Sequence, residues 1–288
     1  MIHVELKNKK VGIFGLKKTG ISAFNSLRGR VAELFCWDDN KTSRENFLNI
    51  ASKNFLLDSA FWNNLDYIVV SPGVGMDNII FRNSAKIISD IDLLKMKYPE
   101  KFYIAVTGTN GKSTTCALIY NIMKKAKLNF SLGGNIGTPV LELCESDGYV
   151  LELSSFQLDL SNSFNDVAVI LNISEDHTDR YKSMNSYVKA KLQIFRNASY
   201  KIIGVDDEIT QDIYRDIKDL ESAIPVSCKR VLKNGFSVIE DEIIIKDCKR
   251  IKIPFNPSLQ GDHNRQNIAA AYACSYAYND KVTRANAQ

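Results

Sequence analysis

The chain has 288 residues and a formal net charge of +4; hydrophobic residues make up 45% of it and charged residues 24%. This is an ordinary globular composition, enough for one large or two medium domains, and too mildly charged to imply a nucleic-acid partner. Six cysteines without C-x-x-C spacing argue against a zinc site or a disulfide scaffold, no run approaches the ~18 apolar residues of a membrane span, and MIHVELKNKKVGIFGL lacks the apolar core of a signal peptide, so a soluble cytoplasmic protein is expected.

From the start of the chain, short apolar runs alternate with helix-like segments. KVGIFGL (10–16), AELFCW (32–37) and DYIVVSPG (66–73) read as buried parallel strands ending in turns. Between the first two, Ile21, Phe24 and Leu27 recur at helical spacing and Gly29 is a natural stop. The βαβ pattern predicts a Rossmann-like domain over residues 1–96. Its turn, GLKKTG (15–20), keeps the outer glycines of G-x-G-x-x-G but has Lys17 in place of the middle one, which argues against an ordinary dinucleotide site. Asp38 and Asp39 close the second strand where a ribose-binding carboxylate would stand. A pair of exposed turn aspartates is the other reading.

KMKYPEKF (95–102) reads as a linker to a second α/β block, residues 97–288, with a P-loop-type strand–turn–helix and a mostly parallel sheet. There the strand FYIAV runs into AVTGTNGKSTT (105–115). The common phosphate loop, G-x-x-x-x-G-K-[S/T], would need a glycine at Val106, and the glycine comes late, at Gly108. The chemistry still fits: Gly108 and Gly111 let backbone N–H groups turn inward, Lys112 can reach terminal phosphates, and the Ser113 hydroxyl can ligate Mg²⁺. A plain turn with an exposed lysine is the alternative.

Further strands are expected at GYVLELS (148–154), VAVILNIS (167–174) and KIIGVDD (201–207), and SYVKAKLQIFRN (186–197) reads as an amphipathic helix. GYVLELS places Glu152 among leucines, where a carboxylate needs a cation or a metal, unless strand alternation turns it to a polar side. LNISEDHTDRY (171–181) puts His177 in a polar turn after a strand, where active-site groups gather but where a histidine can equally be solvated. Lys191 shares a helix face with Tyr187 and Phe195; burial would make it nucleophilic, whereas a snorkelling lysine would not be. GGNIGTP (133–139) offers Asn135 in a tight turn. Residues 236–255 alternate like a hairpin or two, and an alanine-rich helix over 264–278 opens on GDHNRQN, where Asn264 and Asn267 share a face suited to a nucleobase edge or to capping.

Together TGTNGKST, GGNIG, LELSSFQL, EDHTDRY, AKL and GDHNRQN, with SPGV (71–74) and SDIDLL (89–94), resemble the Mur ligase family of peptidoglycan synthesis in order and spacing over nearly the whole chain. In that family the shortened G-T-N-G-K-[S/T] loop is the normal form. The resemblance implies ATP-dependent joining of D-glutamate to UDP-N-acetylmuramoyl-L-alanine through an acyl phosphate, with two Mg²⁺ ions. It assigns Gly108, Thr109, Asn110, Gly111, Lys112, Ser113 and Thr114 to ATP, and Asn264 and Asn267 to adenine. Ser113, Glu152, His177 and a carbamylated Lys191 become metal ligands; Lys112, Glu152, His177 and Lys191 are the catalytic set. Lys18, Thr19, Asp38, Asp39, Ser71, Pro72, Gly73, Asn135 and His177 become substrate-binding residues. Asn40 departs from the basic residue expected after the strand-two acids. Family members carry a third, C-terminal domain that binds the amino acid, and the chain ends at Gln288 where it should begin. Weak or absent ligation by this chain alone is therefore expected, with a separately encoded third domain as a candidate partner. A non-catalytic UDP-sugar-binding remnant is the alternative; folylpolyglutamate synthase shares the central fold but lacks a UDP-binding domain ahead of the loop.

Overall fold

The computed structural model describes residues 4–135, 137–161, 165–176, 180–181, 183–246, 249–253, 256 and 259–286. Those within 1–100, 138–143 and 156–163 form one compact unit, and those within 101–137, 144–155 and 164–288 a second.

The first unit is built on four parallel strands, β1 (Lys10–Phe14), β2 (Glu33–Trp37), β3 (Tyr67–Val70) and β4 (Lys86–Ile88), in the order β2-β1-β3-β4. Helices α1 (Lys18–Leu27), α2 (Lys41–Leu48) and α3 (Asp90–Lys97) accompany them. β1 is buried on both sides after its first residue, as a central parallel strand must be, so its apolar run is continuous rather than alternating. Phe24 of α1 meets Phe47 and Phe55 edge-on at 5.0 Å, and Phe14, Trp62, Ile68 and Val70 form a further core. The outer glycines of the first turn have a packing reason. Gly15 takes φ +94°, and a Cβ on Gly20 would stand 1.8 Å from the Gly15 carbonyl oxygen. Lys17, between them, escapes that constraint.

The expected linker at 95–102 is largely structured instead. Ser89 and Asp92 form a capping box that starts α3, Leu93 and Leu94 are buried, and Lys95 to Lys97 are its last residues. Only residues 98–101 separate α3 from the next strand.

The second unit is a nine-stranded sheet of β5 (Phe102–Thr107), β6 (Phe130–Gly134), β7 (Gly148–Glu152), β8 (Val167–Ile170), β9 (Tyr200–Gly204), β10 (Ala223–Ser227), β11 (Phe236–Ile239), β12 (Glu242–Ile245) and β13 (Lys249–Lys252). The order is β13-β12-β11-β10-β9-β8-β5-β7-β6, parallel from β6 through β11 and antiparallel for the last two pairings. Its helices are α4 (Lys112–Lys125), α6 (Met184–Leu192), α7 (Glu208–Ile217) and α8 (Asp262–Asn286); α5 (Ser155–Leu160) belongs mostly to the first unit. The helix expected over 186–197 becomes α6 and a 3₁₀ turn, Gln193–Phe195.

Ile104, Val106, Val150, Val169 and Ile202 are fully buried, each contributing about 1.5–3 kcal/mol. Against them lie Ile119 and Met123 of α4 and Ala269, Ala270, Ala273, Cys274 and Ala277 of α8. The small side chains let α8 approach α4 and the sheet closely, and larger ones would overpack. Because β5, β7, β8 and β9 are parallel, their C-terminal ends share one edge, where ligands of such sheets bind.

Candidate functional site

β5 ends at Thr107, the chain turns through residues 108–111, and α4 begins at Lys112. The turn is tied on both sides. Thr107 Oγ1 donates to the Leu153 carbonyl at 2.8 Å, and Leu171 N donates to the Thr107 carbonyl at 3.0 Å. Asn172 grips the loop three ways: its carbonyl accepts from Thr109 N at 2.8 Å, its Oδ1 from Asn110 N at 2.9 Å, and its Nδ2 donates to the Asn110 carbonyl at 3.1 Å. Ser174 N donates to Thr109 Oγ1 at 3.0 Å. The sequence reading missed Asn172; its signal was an amide directly after the apolar run VAVIL. Gly111 has φ +86°, and a Cβ there would stand 2.3 Å from Asn267 Oδ1, so only glycine fits.

Two lysines converge on the loop. Lys112 Nζ donates to the Gly108 carbonyl at 2.9 Å and to the Thr109 carbonyl at 2.8 Å. Lys191 Nζ, from α6, donates to the same Gly108 carbonyl at 2.9 Å and lies 4.6 Å from the centre of the Tyr187 ring. Lys191 is only 2% exposed. Burial first, and the neighbouring Lys112 charge second, bring its pKa down to about 7, against the pull of Asp176. Burial also lowers Lys112, with Glu152 and Asp176 favouring its charged form.

Glu152 is 3% exposed, and all five residues of β7 are buried, so it has no polar side to turn to. Its Oε1 accepts from Asn135 Nδ2 at 3.1 Å, and its carbonyl from Asn135 N at 2.8 Å. Asn135 therefore braces the carboxylate. Ser113 is exposed on the first turn of α4, Thr114 is half-buried, and the fully buried Thr115 Oγ1 finds no hydrogen-bond partner among the described residues. His177 lies outside the described residues.

The described residues include no group of three His, Cys, Asp or Glu side chains placed to cage a metal. The donor set at hand, one serine hydroxyl and one buried carboxylate beside a phosphate-type loop, suits Mg²⁺, which is held by few protein oxygens together with phosphate and water. Lys191 as an amine is no ligand for it. Its lowered pKa leaves neutral amine near pH 7, the form that reacts with CO₂ to give a carbamate oxygen.

At the start of α8, Asn264 and Asn267 are buried on one face, and Asn267 Nδ2 donates to Asn264 Oδ1 at 3.2 Å. Asn264 Nδ2 donates to the Gln260 carbonyl at 2.9 Å. The amides face the loop side through the contact of Asn267 with Gly111.

In the first unit, Lys18 and Thr19 open α1, Lys18 exposed. Asp38 is no solvated turn residue: its Oδ2 accepts from Leu16 N at 2.7 Å and its Oδ1 from Asn40 N at 2.8 Å. Asp39 accepts from Trp37 Nε1 at 3.2 Å and Asn78 Nδ2 at 3.0 Å. Ser71 Oγ donates to the Gly15 carbonyl at 2.9 Å, with Pro72 and Gly73 following. These residues gather at the C-terminal ends of β1, β2 and β3. The sequence reading missed Arg44, which lies 4.3 Å from the Trp37 ring centre and donates to the Asp39 carbonyl at 3.0 Å. A cation thus stands beside the strand-two acids although Asn40 is not basic.

Residues 106–275 match the family model described as the Mur ligase middle domain. The chain is 44% identical over 280 residues to the UDP-N-acetylmuramoylalanine--D-glutamate ligase of Rickettsia prowazekii (strain Madrid E), covering 93% of this chain and 62% of that protein. It is 42% identical to the enzyme of the same name from Wolbachia pipientis wMel, over 77% of this chain and 45% of that one. The chain thus spans about three fifths of the length of the first of these relatives. Among solved structures it resembles a UDP-N-acetylmuramate:L-alanyl-gamma-D-glutamyl-meso-diaminopimelate ligase from Neisseria meningitides, with a TM-score of 0.59 at 16% identity over 94% of both chains. It also resembles the UDP-N-acetylmuramate-alanine ligase of Thermotoga maritima, with a TM-score of 0.56 at 20% identity over 94% of this chain and 66% of that one.

Proposed function

The chain belongs to the Mur ligase family, and from that premise we propose that it carries the ATP-binding and UDP-sugar-binding parts of a ligase joining D-glutamate to UDP-N-acetylmuramoyl-L-alanine. The observation that carries the reading is the convergence of the Lys112 and Lys191 amino groups on the Gly108 carbonyl, in a glycine loop beside the buried Glu152. Lys112 brings a half-buried cation to the helix N-terminus, a place suited to an anion, and the buried Lys191 amine beside it is open to carbamylation.

In the proposed reaction the alanyl carboxylate attacks the γ-phosphorus of ATP, forming an acyl phosphate and releasing ADP. The amine of D-glutamate adds to the acyl carbon, and the tetrahedral intermediate expels phosphate to leave the amide. The first step brings a carboxylate against an already anionic phosphoryl group, so neutralising charge is the central task. Lys112 turns from the loop carbonyls to the phosphates and offsets their charge. The N–H groups of Gly108, Gly111, Lys112 and Ser113, with Thr114 behind them, orient the triphosphate in line, while Thr109 and Asn110, whose N–H groups Asn172 takes, hold the loop's shape.

Ser113, Glu152 and carbamylated Lys191 would hold Mg²⁺, and His177 a second ion. Bound there, Mg²⁺ supplies Lewis-acid charge neutralisation at the phosphoryl oxygens. Asn135 fixes the Glu152 carboxylate, Asn264 and Asn267 meet the adenine edge, and Lys18, Thr19, Asp38, Asp39 and Ser71 through Gly73 hold the UDP moiety. Calorimetry with ATP and with the UDP-sugar, beside a ligation assay containing Mg²⁺ and D-glutamate, tests the reading. Binding of both nucleotides is expected. A chain that binds neither overturns the reading; one that binds both without any UDP-sugar-dependent release of phosphate from ATP is a binding module rather than an enzyme.

A further inference from the structure

One carboxylate at the same sheet edge has no part in the chemistry above. Asp206 follows β9, half-buried. Its Oδ2 accepts from Cys228 N at 2.7 Å and from Gln266 Nε2 at 3.0 Å, and its Oδ1 from Ser227 Oγ. Lys229 Nζ donates to the Asp206 carbonyl at 2.9 Å. The carboxylate thus takes donors from the end of β10 and the residue after it on one side and from α8 on the other. Gln266 is 5% exposed and stands immediately before Asn267, the amide wedged against Gly111. A buried primary amide has several donor and acceptor sites to satisfy, and a bond from it to an ionised acceptor is about twice as strong as a neutral one.

We infer that Asp206 is a positioning residue for the adenine nucleotide: through Gln266 it fixes the first turn of α8, and so sets Asn264 and Asn267 against the phosphate loop. The inference rests on the nucleotide-site reading above. Asp206 itself touches no ligand. It acts on the first turn of α8, ahead of the alanine face that packs the rest of the helix, keeping both asparagines against the loop. The loop is anchored independently, by Asn172, Ser174 and Leu153. The adenine end of the nucleotide should therefore depend on Asp206, and the phosphate end should not.

Calorimetry with Mg²⁺ and either ATP or inorganic tripolyphosphate separates the two ends. Asp206→Asn takes the charge from the acceptor of Gln266 and should weaken ATP by about tenfold, while tripolyphosphate affinity stays within about twofold. Should Asp206→Asn fail to fold, Gln266→Met removes the same bond and carries the same comparison. Unchanged ATP affinity, or equal weakening of ATP and tripolyphosphate, overturns the inference alone. A wild-type chain that binds neither ligand overturns the nucleotide-site reading and this inference with it.

Discussion

The chain contains two strand–turn–helix junctions with closely similar local grammar and opposite electrostatics. After β1, Gly15 takes a positive φ, lysines 17 and 18 follow, and α1 begins; after β5, Gly111 takes a positive φ, Lys112 follows, and α4 begins. In the first junction the lysines are exposed, and the Leu16 amide is already bonded to the Asp38 carboxylate. In the second the lysine amines are desolvated and rest on loop carbonyls, with Glu152 and Asp176 favouring the charge on Lys112. A cation in water is screened, whereas a partly buried cation is screened much less. Glycine spacing therefore reports where a turn is tight, and the surroundings of the lysines report which turn suits the triphosphate proposed for it.

The largest effect should come from the glycine of the second junction. Gly111→Ala forces a left-handed alanine against the buried Asn267 amide, and should cost about 2–4 kcal/mol of stability, read by denaturant unfolding. A midpoint equal to wild type would show that Gly111 has room for a Cβ beside Asn267.

Lys191 sharpens the contrast next. Its ordinary value of 10.5 falls to about 7 in the fold, so between those pH values the unfolded chain holds a proton that the folded chain lacks. This group therefore disfavours folding most below pH 7, and the penalty is relieved as pH rises toward 10.5. In ¹³C-bicarbonate the neutral amine should give a carbamate resonance that grows from pH 6 to pH 8.5 and is absent from Lys191→Ala. A signal independent of pH, or one that survives the substitution, would contradict the burial argument.

The smallest effect belongs to the first junction. Asp38→Ala removes the acceptor of the Leu16 and Asn40 amides in a partly exposed turn and should cost about 1–2 kcal/mol. UDP-sugar affinity should fall while ATP affinity stays the same. Equal loss of both would show that the two junctions do not bind separate ligands.

Much of this was legible in the sequence. Continuous apolar runs revealed the central parallel strands, because strands buried on both faces need no alternation. β10 escaped because Pro225 interrupts its apolar run, and a proline argues against an interior strand. α7 escaped because its amphipathic pattern sits among charged residues and buries only Thr210. Gly108, Gly111, Lys112 and Glu152 stood out by residue type. Asn172 and the Asp206–Gln266 pair did not, since an asparagine, an aspartate and a glutamine gain meaning only from the strand ends that bring them together.

The central claim is that the loop from Gly108 to Ser113 is a triphosphate site whose essential cation is Lys112. Titrating ATP with Mg²⁺ into wild type and Lys112→Ala by calorimetry tests it most directly. The account predicts saturable binding by wild type and at least a hundredfold loss in the variant, with its melting temperature within a few degrees. Equal affinity in the two proteins would contradict it.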